Sequence, residues 1–175
     1  LVLTGAVNDA AALLRANVAE SYRRGLELEM GMKLPLGFFA EGNVTWSRNR
    51  IALFEEVLYA TTYTDTSEIV EELKFNYTDT PIAFSPDWTG AAQLGWSVSP
   101  KKLAWMKRLE IAWISKYVSD QFLDNTGNRN RILPSYWVQD LRASMDFNFK
   151  KLPQFQGIDC WVNNVLNRAF VSNGY

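Results

Sequence analysis

The chain has 175 residues, of which 47% are hydrophobic and 14% aromatic, with seven tryptophans, one cysteine and no histidine. A formal charge of -1 and a pI near 5.6 leave no basic footprint for nucleic acid, and the cysteine and histidine counts exclude an internal disulfide, a cysteine zinc cluster and a Ser-His-Asp triad. Mean hydropathy is only -0.17, and no stretch approaches the roughly 20 apolar residues of a spanning helix, so any membrane crossing has to be made by strands.

From the amino end, Leu1 to Gly5 is too short and too quickly followed by polar residues to be a signal peptide. Asn8 to Tyr22 places Ala11, Leu14 and Val18 at helical spacing behind a capping Asn8, which predicts a short helix within a loop. A strand follows, with Leu26, Leu28, Met30, Met32 and Leu34 on one face and Glu27, Glu29, Gly31 and Lys33 on the other, because successive strand side chains alternate. The turn Leu34-Pro35-Leu36-Gly37 leads to a second strand, where Phe38, Ala40, Gly42, Val44 and Trp46 oppose Glu41, Asn43, Thr45, Ser47 and Asn49.

Residues 51–88 are expected to form a long loop, rich in acids such as Glu55, Glu56, Glu71 and Glu72; it carries no calcium-loop pattern and reads as a solvated acidic segment. A third strand sets Ala92, Leu94, Trp96 and Val98 against Gln93, Gly95, Ser97 and Ser99, and Pro100-Lys101-Lys102 turns out of it. The fourth sets Leu109, Ile111, Trp113 and Tyr117 against Arg108, Glu110, Ala112, Lys116 and Asp120. After a second long loop over 124–136, the fifth alternates Leu141, Ala143, Met145, Phe147 and Phe149 with Asp140, Arg142, Ser144, Asp146 and Asn148. A turn at 150–154 precedes a sixth, Ile158, Cys160 and Val162, in which Trp161 falls on the polar parity.

A soluble β-sandwich also alternates. The wall of a membrane β-barrel is favoured by acids, bases and amides mixed on the polar face and by aromatics at strand ends. Phe38 and Trp46 stand eight residues apart on one face, which at a tilt near 40° spans roughly 20 Å of membrane normal. Trp96, Trp113, Tyr117 and Trp137 with Phe147 and Phe149 are further candidates for interfacial girdles. The connections alternate short and long, as in barrels with short periplasmic turns and long outer loops.

An ordered series of segments then resembles one family. Ser21-Tyr22-Arg23-Arg24-Gly25-Leu26-Glu27-Leu28-Glu29 resembles a stretch near the carboxyl end of TonB-dependent outer-membrane receptors of the Bacteroidetes type. Leu3-Thr4-Gly5, Asn8-Asp9 and Asn17-Val18 precede it; Asn43-Val44-Thr45-Trp46-Ser47-Arg48-Asn49 and Ile82-Ala83-Phe84-Ser85-Pro86 follow. The most specific segment is Lys116-Tyr117-Val118-Ser119-Asp120-Gln121-Phe122-Leu123-Asp124-Asn125-Thr126, and Ser135-Tyr136, Asp140-Leu141-Arg142, Asn163-Asn164-Val165-Leu166-Asn167 and Ser172-Asn173-Gly174-Tyr175 complete the order.

The resemblance implies an all-β, antiparallel transmembrane barrel segment, about six meander strands out of 22, with long extracellular loops. Residues 1–175 would be a partial barrel domain without the plug and terminal strand, located in the bacterial outer membrane. It implies import of a scarce nutrient (siderophore, vitamin, carbohydrate or peptide), with the TonB complex engaged through a region outside this chain and outer-membrane lipid around the wall. The alternative is a soluble antiparallel carbohydrate-binding module, in which Trp46, Trp96 and Trp113 would share one water-facing platform; an outer-membrane barrel enzyme is the third class, its acid-base work left to carboxylates.

No catalytic residue, metal ligand, cofactor or cofactor-binding residue is assigned, no enzyme activity is expected, and the ligand-binding residues stay open. The residues expected to line a polar interior are Glu27, Glu29, Lys33, Arg108, Glu110, Lys116, Asp140, Arg142 and Asp146.

Overall fold

The computed structural model describes residues 2–7, 13–18, 20–64, 67–149 and 154–174. Its strands are β1 (Val2–Val7), β2 (Leu13–Ala16), β3 (Glu20–Lys33), β4 (Phe38–Tyr63), β5 (Glu68–Pro81), β6 (Trp88–Val98), β7 (Met106–Val118), β8 (Gln121–Phe122), β9 (Ile132–Leu133), β10 (Tyr136–Phe147) and β11 (Gly157–Val162). One sheet runs β11-β10-β7-β6-β4-β3, with β5 paired to the far half of β4, and all its pairings are antiparallel. The path is a meander of neighbours in chain order, and it does not close on itself among the described residues.

Register keeps the apolar parity on one face throughout. Leu26 pairs with Trp46, Leu28 with Val44, Met32 with Ala40, Ala40 with Leu94, Leu94 with Trp113 and Trp113 with Leu141. A slip of one residue anywhere would throw polar side chains into this face. The face stays open: Leu26 is 74% exposed, Leu28 61%, Met30 61% and Leu94 57%. A soluble sheet would cover such a surface, which far exceeds the scattered apolar exposure of soluble proteins.

Burial concentrates elsewhere. Ile51, Phe54, Leu133 and Val138 are buried at the end of the sheet where the long connections lie. At the other end Trp105, Phe147, Phe149 and Phe155 stack on one another, with ring centroids 5.0–6.4 Å apart.

Aromatics bound the open face at both ends. Trp46 faces Trp88 across β4 and β6, and Tyr117 faces Trp137 across β7 and β10, forming one row; Phe38 faces Trp96 in the other. Trp113 belongs to neither, since Leu94 and Leu141 flank it at mid-height. From Trp88 to Trp96 is eight residues, or roughly 20 Å of membrane normal for a tilted strand.

Three sequence expectations need correction. The helix over 8–22 is not formed where the chain is described: Leu13–Ala16 pairs with β1 and Glu20 onwards with β4. Strand pairing overrides a weak local helical spacing there; residues 8–12 and 19 lie outside the described residues. The long loop over 51–88 is mostly a ribbon, in which β4 continues to Tyr63 and β5 returns along it from Glu68 to Pro81. Its strands alternate as the others do, but acids stand on both faces and obscure the period. The loop over 124–136 is likewise tied at its base, where Gln121 and Phe122 pair with Leu133 and Ile132.

The short turn at 34–37 is as expected. It is a single 3-10 turn with Leu36 and Gly37 at positive φ (61° and 86°), and a Cβ on Gly37 would lie 2.2 Å from the Ser97 carbonyl oxygen. The Trp96 indole donates to the Leu36 carbonyl at 3.0 Å, pinning the turn to β6. At 99–105 the Leu103 amide donates to the Pro100 carbonyl at 3.1 Å. The expected turn at 150–154 falls largely outside the described residues.

Candidate functional site

The polar parity converges on the opposite face, where charges meet across three strands. Arg108 of β7 pairs with Glu110 at 3.4 Å and with Asp146 of β10 at 3.0 Å. Arg142 of β10 reaches Glu110 at 3.7 Å and Asp159 of β11 at 2.9 Å, and its guanidinium stands 5.3 Å from the centre of the Trp161 ring. Glu110 therefore sits between two arginines, each of which keeps a second carboxylate. Nearer the long connections, Lys116 pairs with Asp140 at 2.9 Å, while the other Asp140 oxygen accepts the Asn164 amide at 2.8 Å.

Register explains these meetings. Ser144 lies opposite both Glu110 and Asp159, and Arg142 lies opposite Ala112 and Trp161, so the arginine crosses diagonally to acids on either side. Lys33 of β3 joins Arg108, Glu110 and Arg142 around a concavity of about 580 Å³ that Glu41 and Phe39 also line. Phe39 covers Gly95 of β6, where an added Cβ would lie 2.2 Å from the ring. Glu29 and Glu41 border a smaller depression of about 200 Å³. Glu27 and Glu29 form no ion pair among the described residues.

Of the nine residues expected inside, Arg108, Glu110, Arg142 and Asp146 are thus joined in one network, Lys116 and Asp140 in a second, and Lys33 lines the hollow beside the first. Glu27 and Glu29 share their face without joining either. Glu41, Asp159 and Trp161 also line this face, although they were not among the nine residues expected inside. Parity marked all three, and the odd placing of Trp161 is resolved by its stacking against Arg142.

Beyond the long-connection end, the β5–β6 connection that follows the ribbon and the β7–β10 connection hold each other. The Ala83 amide donates to Asn125 at 2.8 Å and the Phe84 amide to the Phe122 carbonyl at 2.9 Å. Tyr77 stacks on Phe54 at 4.9 Å and donates to Glu56 at 3.2 Å; burial first, then the Glu56 charge, raises its pKa. Asp124 accepts from the Thr126 amide and hydroxyl and pairs with Arg131 at 2.7 Å. Burial acts to raise the Asp124 carboxyl, but the Thr126 and Arg131 hydrogen bonds outweigh it and hold its pKa below the usual carboxylate range.

The arrangement as a whole has an apolar outside and an ion-paired inside, the reverse of a soluble sheet over a core. Trp46, Trp96 and Trp113 do share the outer face, as the carbohydrate-module reading required, but Trp46 and Trp96 stand in opposite rows. Roughly 26 Å separates those rows along a strand, with Trp113 between them at mid-height. Among protein families, the model described as TonB dependent receptor-like, beta-barrel matches residues 2–165. No curated protein and no solved structure matches the chain.

Proposed function

Because the chain belongs to the TonB-dependent receptor-like β-barrel family, a family of outer-membrane receptors and transporters, we propose that it forms part of the barrel wall of a nutrient importer. The observation that carries this reading is the sheet's polarity: a continuous apolar face between two aromatic rows, backed by ion pairs on the other side. The outer face meets lipid, and the inner face lines a polar interior. In this role the strands catalyse nothing; they hold the wall and present charge inward.

The hollow around Lys33, Glu41, Arg108 and Arg142 offers both signs of charge to a plug domain seated within the barrel. A plug that must move during transport is better held by accessible ion pairs, each worth about 0–1 kcal/mol, than by an apolar interface. The TonB complex then acts through a region outside these strands, and the transported nutrient is a siderophore, vitamin, carbohydrate or peptide.

The test is site-specific photo-crosslinking in the membrane-embedded receptor, with the photoreactive residue at Glu41 in one variant and at Leu28 in another. Glu41 should capture the plug and Leu28 should capture lipid. Lipid captured at Glu41, or plug at Leu28, would overturn the reading.

A further inference from the structure

The outer face carries cations where the apolar band ends. Arg24 of β3 and Arg48 of β4 are directly opposite one another, one pair beyond Leu26 and Trp46 on the same parity, and Arg50 follows opposite Tyr22. Like charges placed directly opposite on neighbouring strands repel. A single carboxylate answers three guanidinium groups: Asp79 contacts Arg48 at 3.3 Å and accepts from the Tyr22 hydroxyl at 3.4 Å. Arg24 rests over the Tyr22 ring at 5.3 Å and, like Arg50, has no ion pair among the described residues. The Nε atoms of Arg48 and Arg50 are buried without a hydrogen-bond partner. The cluster thus keeps an excess of positive charge.

Below it, centred on the neighbouring β4–β6 pair, the outer face sinks into an apolar hollow of about 430 Å³. Gly42 and Ala92 form its floor, and Leu28, Met30, Leu94 and Trp113 rise around it. Nothing larger than a methyl group stands on that floor, so the depression is too wide for the wall's own side chains to fill.

We propose that this stretch of the outer face along β4 binds one phosphate-bearing membrane lipid, its phosphate held by Arg24, Arg48 and Arg50 and an acyl chain lying in the hollow over Gly42 and Ala92. The two halves fit one molecule. Planar guanidinium groups match phosphate oxygens and relieve the cross-strand repulsion, the Trp46 level marks the boundary between headgroup and hydrocarbon, and the chain covers apolar surface directly beneath. The proposal rests on the lipid-facing reading of this face.

The experiment is native mass spectrometry of the complete receptor, delipidated in detergent and titrated with phosphatidylglycerol or phosphatidylcholine. Wild type should retain phosphatidylglycerol preferentially. Arg24→Gln, which breaks no ion pair, should reduce that preference roughly fivefold, the effect of one interfacial cation, and Arg24→Gln with Arg50→Gln should reduce it further. Ala92→Leu, which fills the hollow, should weaken retention of both lipids alike, as free phosphate binding would not. Undiminished preference in the arginine variants, or unchanged retention in Ala92→Leu, would overturn the proposal. Crosslinking from Leu28 to lipid would still stand in that event, so failure of the site is distinct from failure of the wall reading.

Discussion

At Gly37 the backbone approaches β6 so closely that no side chain fits, and the left-handed φ adds strain for any other residue. Gly37→Ala is expected to cost about 1–3 kcal/mol, read as a lower urea midpoint for the lipid-reconstituted receptor. Asp140 is a different case, since its side chain is only 4% exposed and satisfies both Lys116 and the Asn164 amide. Asp140→Ala strands that amide and should cost about 1–3 kcal/mol, whereas Asp140→Asn should recover part of the loss. On the outer face, arginine at Leu28 or Ile111 should cost about 2–4 kcal/mol near the membrane midplane, and arginine at the exposed inward Glu29 should be tolerated. The alternation in the sequence marks the two faces on which these opposite sensitivities rest. It could not foretell Asp159 as a partner of Arg142, because that meeting depends on the register between β10 and β11.

Among the elements, the β4–β5 ribbon stands out because it continues the wall past the sheet's other strands as a two-stranded arm. Phe54 and Tyr77 stack at its base, and the β7–β10 connection braces the segment leaving it through Asn125 and Phe122. That connection is itself closed by Asp124, and its pH response follows from the depressed carboxyl. Because the folded pKa lies below the ordinary value of about 4, the contribution is complete above that value and is lost as pH falls through the folded pKa. Limited proteolysis between residues 124 and 131 should be slow at neutral pH and accelerate below about pH 4, while Asp124→Asn should remove most of the difference. Periodicity placed the six meander strands, since each has a wet and a greasy parity. It missed the ribbon, where Glu56 and Glu71 stand on the face that also holds Phe54 and Leu58, and it misjudged Leu13–Ala16, whose strand depends on pairing back onto β1 just before it.

As a whole, the sheet is a wall with its polarity inverted relative to a soluble protein. β3 and β11 stand at the two ends of the sheet, and each presents an edge to which further strands can pair. These 175 residues produced alone should therefore aggregate in buffer and give a strand circular dichroism signal in detergent. A soluble, cooperatively unfolding monomer would mean that the apolar face finds a cover within the chain.

In the barrel wall, odd positions of β7 face lipid and even positions face the interior. The most direct measurement is a nitroxide scan of residues 109–117 in the membrane-embedded receptor, with the exposed Cys160 first replaced by serine. Collisions with oxygen should peak at Leu109, Ile111, Trp113, Ser115 and Tyr117 and fall at Glu110, Ala112, Ile114 and Lys116, with a period of two. The opposite phase, or no alternation at all, would contradict the account.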